Sequence, residues 1–224
     1  MISRTRTKIC GITREQDVHA VAQNGADALG LVFYAKSPRH VTVQQAVELA
    51  KVVPPFVTLV GLFVNPGVDE ICEVLGNVPL DVLQFHGEET PLFCAQFGRP
   101  WLKAIRVKPG ADLVECAARY AGAQGLLLDA FVEGTHGGTG ASFDWGMIPR
   151  NLPLPLILSG GLHAGNVADA IKAVRPYAVD VSSGVEASKG IKDAEKIAAF
   201  IKEVKRVDSG RNRGEQARVQ GAAQ

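Results

Sequence analysis

Ala28-Leu29-Gly30-Leu31-Val32-Phe33 is an uninterrupted apolar run. A strand with one wet face alternates apolar and polar residues. A run that is apolar at every position suits a strand buried on both faces, as in a parallel sheet covered by helices. The flanks agree. Upstream, Val18, Val21 and Ala22 mark one helical face, and Gly25 suits the left-handed C-cap position. Downstream, Thr42 and Gln45 spell a capping box. Val43, Ala46, Val47 and Ala50 then follow the i, i+3, i+4, i+7 spacing of a buried helical stripe.

The same unit recurs along the chain. Residues 8–10 end a first strand, and Thr13 with Gln16 reads as another capping box. Residues 57–64 form a third strand. Asn65-Pro66 then opens a helix with Val68, Ile71, Cys72 and Leu75 as its buried stripe. Further strands are expected at residues 81–86, 101–107, 125–129, 156–158 and 178–181. The helices between them are marked by Thr90-Pro91 with Phe93 and Phe97, by Leu113 and Ala117, by residues 143–148, and by Val167, Ala170 and Ile171. Ala194, Ile197 and Ile201 mark the last one. Strict alternation implies right-handed crossovers and a parallel sheet, so the class is α/β. Eight units point to closure as a single-domain (β/α)8 TIM barrel, with its active site at the C-terminal strand ends. A doubly wound open sheet is the alternative. It usually carries G-x-G-x-x-G after the first strand, where this chain has Cys10-Gly11-Ile12-Thr13-Arg14. The barrel is assigned to residues 1–207. Residues 208–224 are polar and Gly-rich, and are expected to be a disordered tail.

Composition narrows the function classes. The chain has 224 residues, is 46% hydrophobic and carries a formal charge of +1, with a pI near 7.7. Nothing in that balance calls for nucleic acid or another polyanion. Cys10, Cys72, Cys94 and Cys116 are widely spaced and form no C-x-x-C, which argues against a zinc or disulfide framework and suits a reducing cytoplasm. No apolar run reaches the ~18 residues of a membrane span. The first residues lack the apolar core of a signal peptide.

If the barrel closes, the strand exits share one rim. Cys10 leaves strand one, Arg39 lies in the loop after strand two, and His86 ends strand four. Asp129 leaves strand six beneath a stretch, residues 131–142, that holds four glycines. Ser159-Gly160-Gly161-Leu162 follows strand seven. Asp180 lies in strand eight, ahead of Ser182-Ser183-Gly184. Loops seven and eight of such barrels often hold a phosphate, and paired glycines let backbone amides approach its oxygens. Lys8 and Cys10 are two residues apart and share a strand face, so the ammonium is expected to favour the thiolate. The apolar neighbours of Asp129 are expected to raise its pKa. Each residue also has a plainer reading: Cys10 as a small core residue, His86 as a satisfied rim histidine, Arg39 as a solvated loop arginine, and the glycine pairs as tight turns.

Lys-Ile-Cys-Gly-Ile-Thr at 8–13 resembles the start of the phosphoribosylanthranilate isomerases. So do Gly25-Ala26-Asp27, Ser37-Pro38-Arg39, Gln84-Phe85-His86-Gly87, Leu128-Asp129-Ala130, Gly138-Thr139-Gly140 and Phe143-Asp144-Trp145. Ser159-Gly160-Gly161-Leu162 and the run from Asp180 through Ser183 to Glu186 complete the set. Phe85 stands where the family more often has leucine. The resemblance covers residues 6–206 and implies a cytoplasmic, cofactor-free and metal-free enzyme of tryptophan biosynthesis. The implied reaction is an Amadori rearrangement of a phosphorylated aminosugar, with Cys10 as general base and Asp129 as general acid. It further implies Arg39 on the anthranilate carboxylate and Gly160, Gly161, Ser182 and Ser183 on the phosphate. His86 and Asp180 are candidates for ribose or anthranilate contacts. The small-molecule substrate is the expected partner, and the chain is expected to be a monomer or homodimer. Two rivals remain. One is the analogous isomerase of histidine synthesis, whose family tends to use two aspartates. The other is a phosphate-ligand-binding barrel without catalysis.

Overall fold

The computed structural model describes residues 4–108, 110–130 and 144–221. Eight parallel strands close into a barrel in chain order: β1 (Arg6–Cys10), β2 (Ala28–Val32), β3 (Thr58–Phe63), β4 (Val82–Phe85), β5 (Trp101–Val107), β6 (Gly125–Ala130), β7 (Leu156–Leu158) and β8 (Ala178–Val181). Closure is made by β1 against β8, with Lys8 opposite Asp180 and Ile9 opposite Val181. The helices are α1 (Glu15–Gln23), α2 (Val43–Lys51), α3 (Val68–Asn77), α4 (Pro91–Ala95), α5 (Leu113–Arg119), α6 (Val167–Val174) and α7 (Ala194–Gly221). A small antiparallel hairpin, β9 (Glu186–Ser188) with β10 (Ile191–Lys192), follows β8.

Strand alternation sorts the core into two compartments. Ile9, Leu29, Leu31, Leu83, Phe85, Leu158 and Val179 pack outward against helix residues such as Val18, Val21, Ile71, Ile171, Ile197 and Phe200. Ala104, Leu127, Ile157 and Ala178 form a separate inner cluster. The residues two further along the inward-facing rows, Asp129 after Leu127 and Asp180 after Ala178, therefore point into the upper end of the barrel.

Local chemistry explains most of the elements. The capping box at α2 is present: Thr42 Oγ1 accepts from Gln45 N at 3.2 Å, and Gln45 Oε1 accepts from Thr42 N at 2.9 Å. Thr90 accepts from Phe93 N ahead of Pro91, as expected for α4. Four expectations fail. Thr13 does not cap α1; its hydroxyl donates to Gly190 O at 2.6 Å, and Arg14 takes the N-cap position. Asn65 and Pro66 stay outside α3, which starts at Val68. Asn65 is left-handed at φ 48° and binds the β4 loop through Glu88 N and Glu89 Oε1. The buried positions of α3 are Ile71 and Val74, so Cys72 is exposed rather than structural. The expected helix at 143–148 is a single 3-10 turn, Trp145–Met147, capped by Asp144. The glycine-rich stretch 131–142 lies outside the described residues.

The far C-terminus also differs from expectation. α7 runs to Gly221, where a disordered tail from residue 208 was expected. A helix already fixed by Ile197, Phe200, Ile201 and Val204 extends at one bond per residue ordered, and Arg, Glu, Gln and Ala favour that extension. Asp208 is buried and accepts from Thr5 N at 2.7 Å and Thr5 Oγ1 at 3.0 Å, so the barrel unit extends at least that far. Removing residues 211–224 should leave the melting temperature nearly unchanged. Asp208→Ala should cost about 1–3 kcal/mol, because it strands a buried N–H and hydroxyl. Denaturant titrations of both variants check this; equal losses would show that the last turns of α7 also pack.

Candidate active site

The upper inner face of the barrel is polar. Lys8, Cys10, Gln84, His86, Asp129 and Asp180 are all buried there. Cys10 closes β1. Its neighbour across the sheet is Gly30, where an added Cβ would lie 2.9 Å from Cys10 Sγ and 3.2 Å from Lys8 Nζ. Any larger residue at Gly30 would displace the thiol. Lys8 Nζ donates to Asp180 Oδ1 at 2.9 Å. Burial alone would lower the Lys8 ammonium, but Asp180 and Cys10 together raise it, so it stays charged.

Cys10 behaves differently from the expectation. Burial pushes its thiol above the ordinary value, against the pull of Lys8 and Lys192 and with the help of Asp180. Lys8 does pull toward the thiolate as expected, but burial outweighs it. Reactivity toward alkylating reagents follows access as well as thiolate fraction. Cys10 is 5% exposed and Cys94 fully buried, whereas Cys72 is open to solvent. Limited alkylation near neutral pH should therefore label Cys72 before Cys10. Peptide mapping checks it, and early labelling of Cys10 would contradict its burial.

Asp129 lies one residue from the end of β6. Its Oδ1 accepts from Ala130 N at 2.9 Å, and its Oδ2 sits 3.3 Å from His86 Nε2 without hydrogen-bond alignment. Gln84 Nε2 lies 3.5 Å from His86 Nδ1 on the same inward row. The structure thus brings His86 to Asp129. Gly160 makes the approach of β7 possible: it has φ 85°, and a Cβ there would lie 2.5 Å from Ala130 N and 3.1 Å from Asp129 Oδ1. Gly161 is left-handed too, at φ 63°, and its carbonyl accepts from Asn166 Nδ2. Ser182 and Ser183 lead into a 3-10 turn, Ser183–Val185, after β8.

Arg39 is not solvated. It is 7% exposed, and its Nε and Nη2 fork onto Glu186 at 2.7 and 2.8 Å. That fork was expected to meet a ligand carboxylate; the structure gives it to Glu186 and leaves the Nη1 edge turned away from that pair. Glu186 also accepts from Lys192 Nζ at 2.9 Å. Burial would raise the Glu186 carboxyl, but Arg39 and Lys192 hold it below its usual range. Glu186 and Lys192 were given no role in the sequence reading. Glu186 stood within a recognised run, but Lys192 lies in a two-residue strand and has no local pattern to betray it.

The arrangement has known counterparts. A family model described as N-(5'phosphoribosyl)anthranilate (PRA) isomerase matches residues 7–203. The chain belongs to the phosphoribosylanthranilate isomerase family. Among relatives in this family, the N-(5'-phosphoribosyl)anthranilate isomerase of Thiobacillus denitrificans is 62% identical over 200 residues, spanning 89% of this chain and 98% of that one. One from Pseudomonas putida is 60% identical over 204 residues, covering 91% and 99%. The crystal structure of the Thermotoga maritima phosphoribosyl anthranilate isomerase is 41% identical, with a TM-score of 0.83 over 90% of this chain and 98% of that one. A further isomerase structure holds reduced 1-(o-carboxyphenylamino)-1-deoxyribulose 5-phosphate. It is 40% identical with a TM-score of 0.80, again over 90% of this chain and 98% of that one. As a member of this isomerase family the chain is an aldose–ketose isomerase on a TIM barrel. Among the described residues no helix is long and apolar enough to cross a membrane.

Proposed function

We propose that Asp129 and Cys10 are the acid and base by which this chain converts N-(5-phosphoribosyl)anthranilate into 1-(2-carboxyphenylamino)-1-deoxyribulose 5-phosphate. The observation that carries the assignment is their placement. Both lie on inward rows at the C-terminal ends of β1 and β6, in a polar sector of the barrel interior.

The chemistry asks for little else. Asp129 gives a proton to the ribose ring oxygen, and the ring opens to an iminium. Cys10 thiolate takes the proton from sugar C2 and leaves an enolamine, which tautomerises to the ketone. The electron sink is the substrate's own nitrogen, so the rearrangement calls for no metal or cofactor. His86 beside Asp129 is placed to relay or orient the proton. Gly160, Gly161, Ser182 and Ser183 are assigned to the phosphate, Asp180 to orienting Lys8, and the Nη1 edge of Arg39 to the anthranilate carboxylate. The raised thiol makes the thiolate the minor form in the unliganded protein, so a pull on Cys10 from bound substrate is part of the reading. The test is loss of phosphoribosylanthranilate fluorescence with purified protein. No loss above the uncatalysed rate would leave a binding barrel in its place.

Of the expected monomer or homodimer, the homodimer has more support. Phe56 is fully exposed and left-handed at φ 70° in the loop Pro54-Pro55-Phe56. It flanks a groove of about 670 Å³ lined by Val53, Val57, Pro79 and Pro100, at the end of the barrel opposite the active site. A second copy is the occupant proposed, since the Thermotoga maritima relative is described as dimeric. Sedimentation of the native protein as a dimer and of Phe56→Ala as a monomer is the expected result; a native monomer removes the proposal.

A further inference from the structure

Arg39, Glu186 and Lys192 form a buried cluster beside Cys10 that the acid–base chemistry does not use. Among the described residues two cations share one carboxylate, which leaves one positive charge over. Buried charge is retained where something pairs it, and a substrate with a carboxylate at one end and a phosphate at the other can do so. Lys192 itself does not reach that substrate. Its side chain is fully buried, and its ammonium has three oxygen partners for three hydrogens: Ser182 O at 3.0 Å, Ser182 Oγ at 3.3 Å and Glu186 Oε1 at 2.9 Å. Its backbone is pinned as well. Arg14 Nη2 donates to Lys192 O at 2.9 Å, and Lys192 N donates to Asp17 Oδ2 at 3.4 Å. At the tip of the same hairpin, Gly190 accepts from Thr13 and lies against Pro38 O, one residue before Arg39.

The geometry points to Lys192 as a positioning residue that couples the two ends of the substrate site. It holds Ser182 at the phosphate end and, through Glu186, aims Arg39 at the carboxylate end. This rests on the substrate assignment made above. Burial, with Arg39, holds the Lys192 ammonium below its ordinary value against the pull of Glu186 and Cys10.

The experiment is a binding cycle with two probes, inorganic phosphate and reduced 1-(o-carboxyphenylamino)-1-deoxyribulose 5-phosphate. Lys192→Met leaves Arg39 and Glu186 as a neutral pair rather than an orphaned charge, so the fold should survive; thermal melts verify it. Lys192→Met should weaken inorganic phosphate roughly ten-fold, whereas Arg39→Ala should leave it unchanged. For the reduced product, the two replacements together should lose less than the product of the single losses, because one acts through the other. KM should rise more than kcat falls. Glu186→Gln, of the same shape, serves if Lys192→Met misfolds: it should weaken the reduced product and spare inorganic phosphate. Independent losses in the cycle, or unchanged phosphate affinity in Lys192→Met, overturn the coupling. If the native protein neither binds the reduced product nor turns over, the substrate assignment fails instead.

Discussion

Asp129→Asn lowers kcat about 10²–10⁴-fold and leaves affinity for the reduced product nearly intact: this is the largest activity effect expected of any single replacement. The amide keeps the local structure. Its carbonyl can still accept from Ala130 N, as Asp129 Oδ1 does at 2.9 Å, and its NH2 can face His86 Nε2, now 3.3 Å from Oδ2. What it lacks is a proton to give to the ring oxygen. Steady-state rates measured beside calorimetric binding separate these contributions. Near-native kcat would remove Asp129 as the acid. Parallel loss of binding and rate would make it a structural residue of the rim.

The largest stability effect is expected at Lys103, on the outer face of the barrel. Its side chain is 2% exposed, and its ammonium donates to Glu89 Oε2 and Gly87 O, each at 2.6 Å, with the Tyr120 ring 5.5 Å away. Glu89 in turn accepts from Gly87 N and Asn65 N. Lys103→Met would leave that carboxylate buried without its cation, at a cost of about 3–5 kcal/mol. Adding Glu89→Gln should recover much of the loss, since the amide oxygen still accepts from both backbone groups and no bare charge remains. Urea titrations of the single and double variants decide it. A double variant no better than Lys103→Met would mean that packing, rather than charge, sets the cost. Gly87 directly follows His86, so the single variant should also slow turnover through a loosened histidine.

What could be read from the sequence was whatever the chain encodes locally. The apolar runs at β2 and β6, the α2 capping box and the Thr90-Pro91 start of α4 each depend on residues a few positions apart. So does the inward row that carries Lys8 and Cys10. Thr13 looked like the same kind of cap, but a partner 177 residues away claimed its hydroxyl. Cys72 fitted a helical stripe that the structure rotates toward Ile71 and Val74. Arg39 was placed correctly at the rim, yet its ion pair with Glu186 spans 147 residues, and nothing local announces it. The same holds for Lys103 and Lys192. A lysine reads as a surface residue until the fold supplies carboxylates and carbonyls to bury it with. The candidate acid and base were thus legible as residues on strands, but the charges that set their surroundings were not.

The pairing of β1 with β8 has a consequence for how the molecule is made. Cys10 is synthesised well before the carboxylate that holds Lys8 beside it, at position 180, and the ammonium of Lys192 follows later still. A nascent or truncated chain ending before β8 can carry most of the strands and both the proposed acid and the proposed base. It still leaves Lys8 without its counterion and the inner face of β1 open to water. On the proposed assignment, competence therefore waits for the last seam.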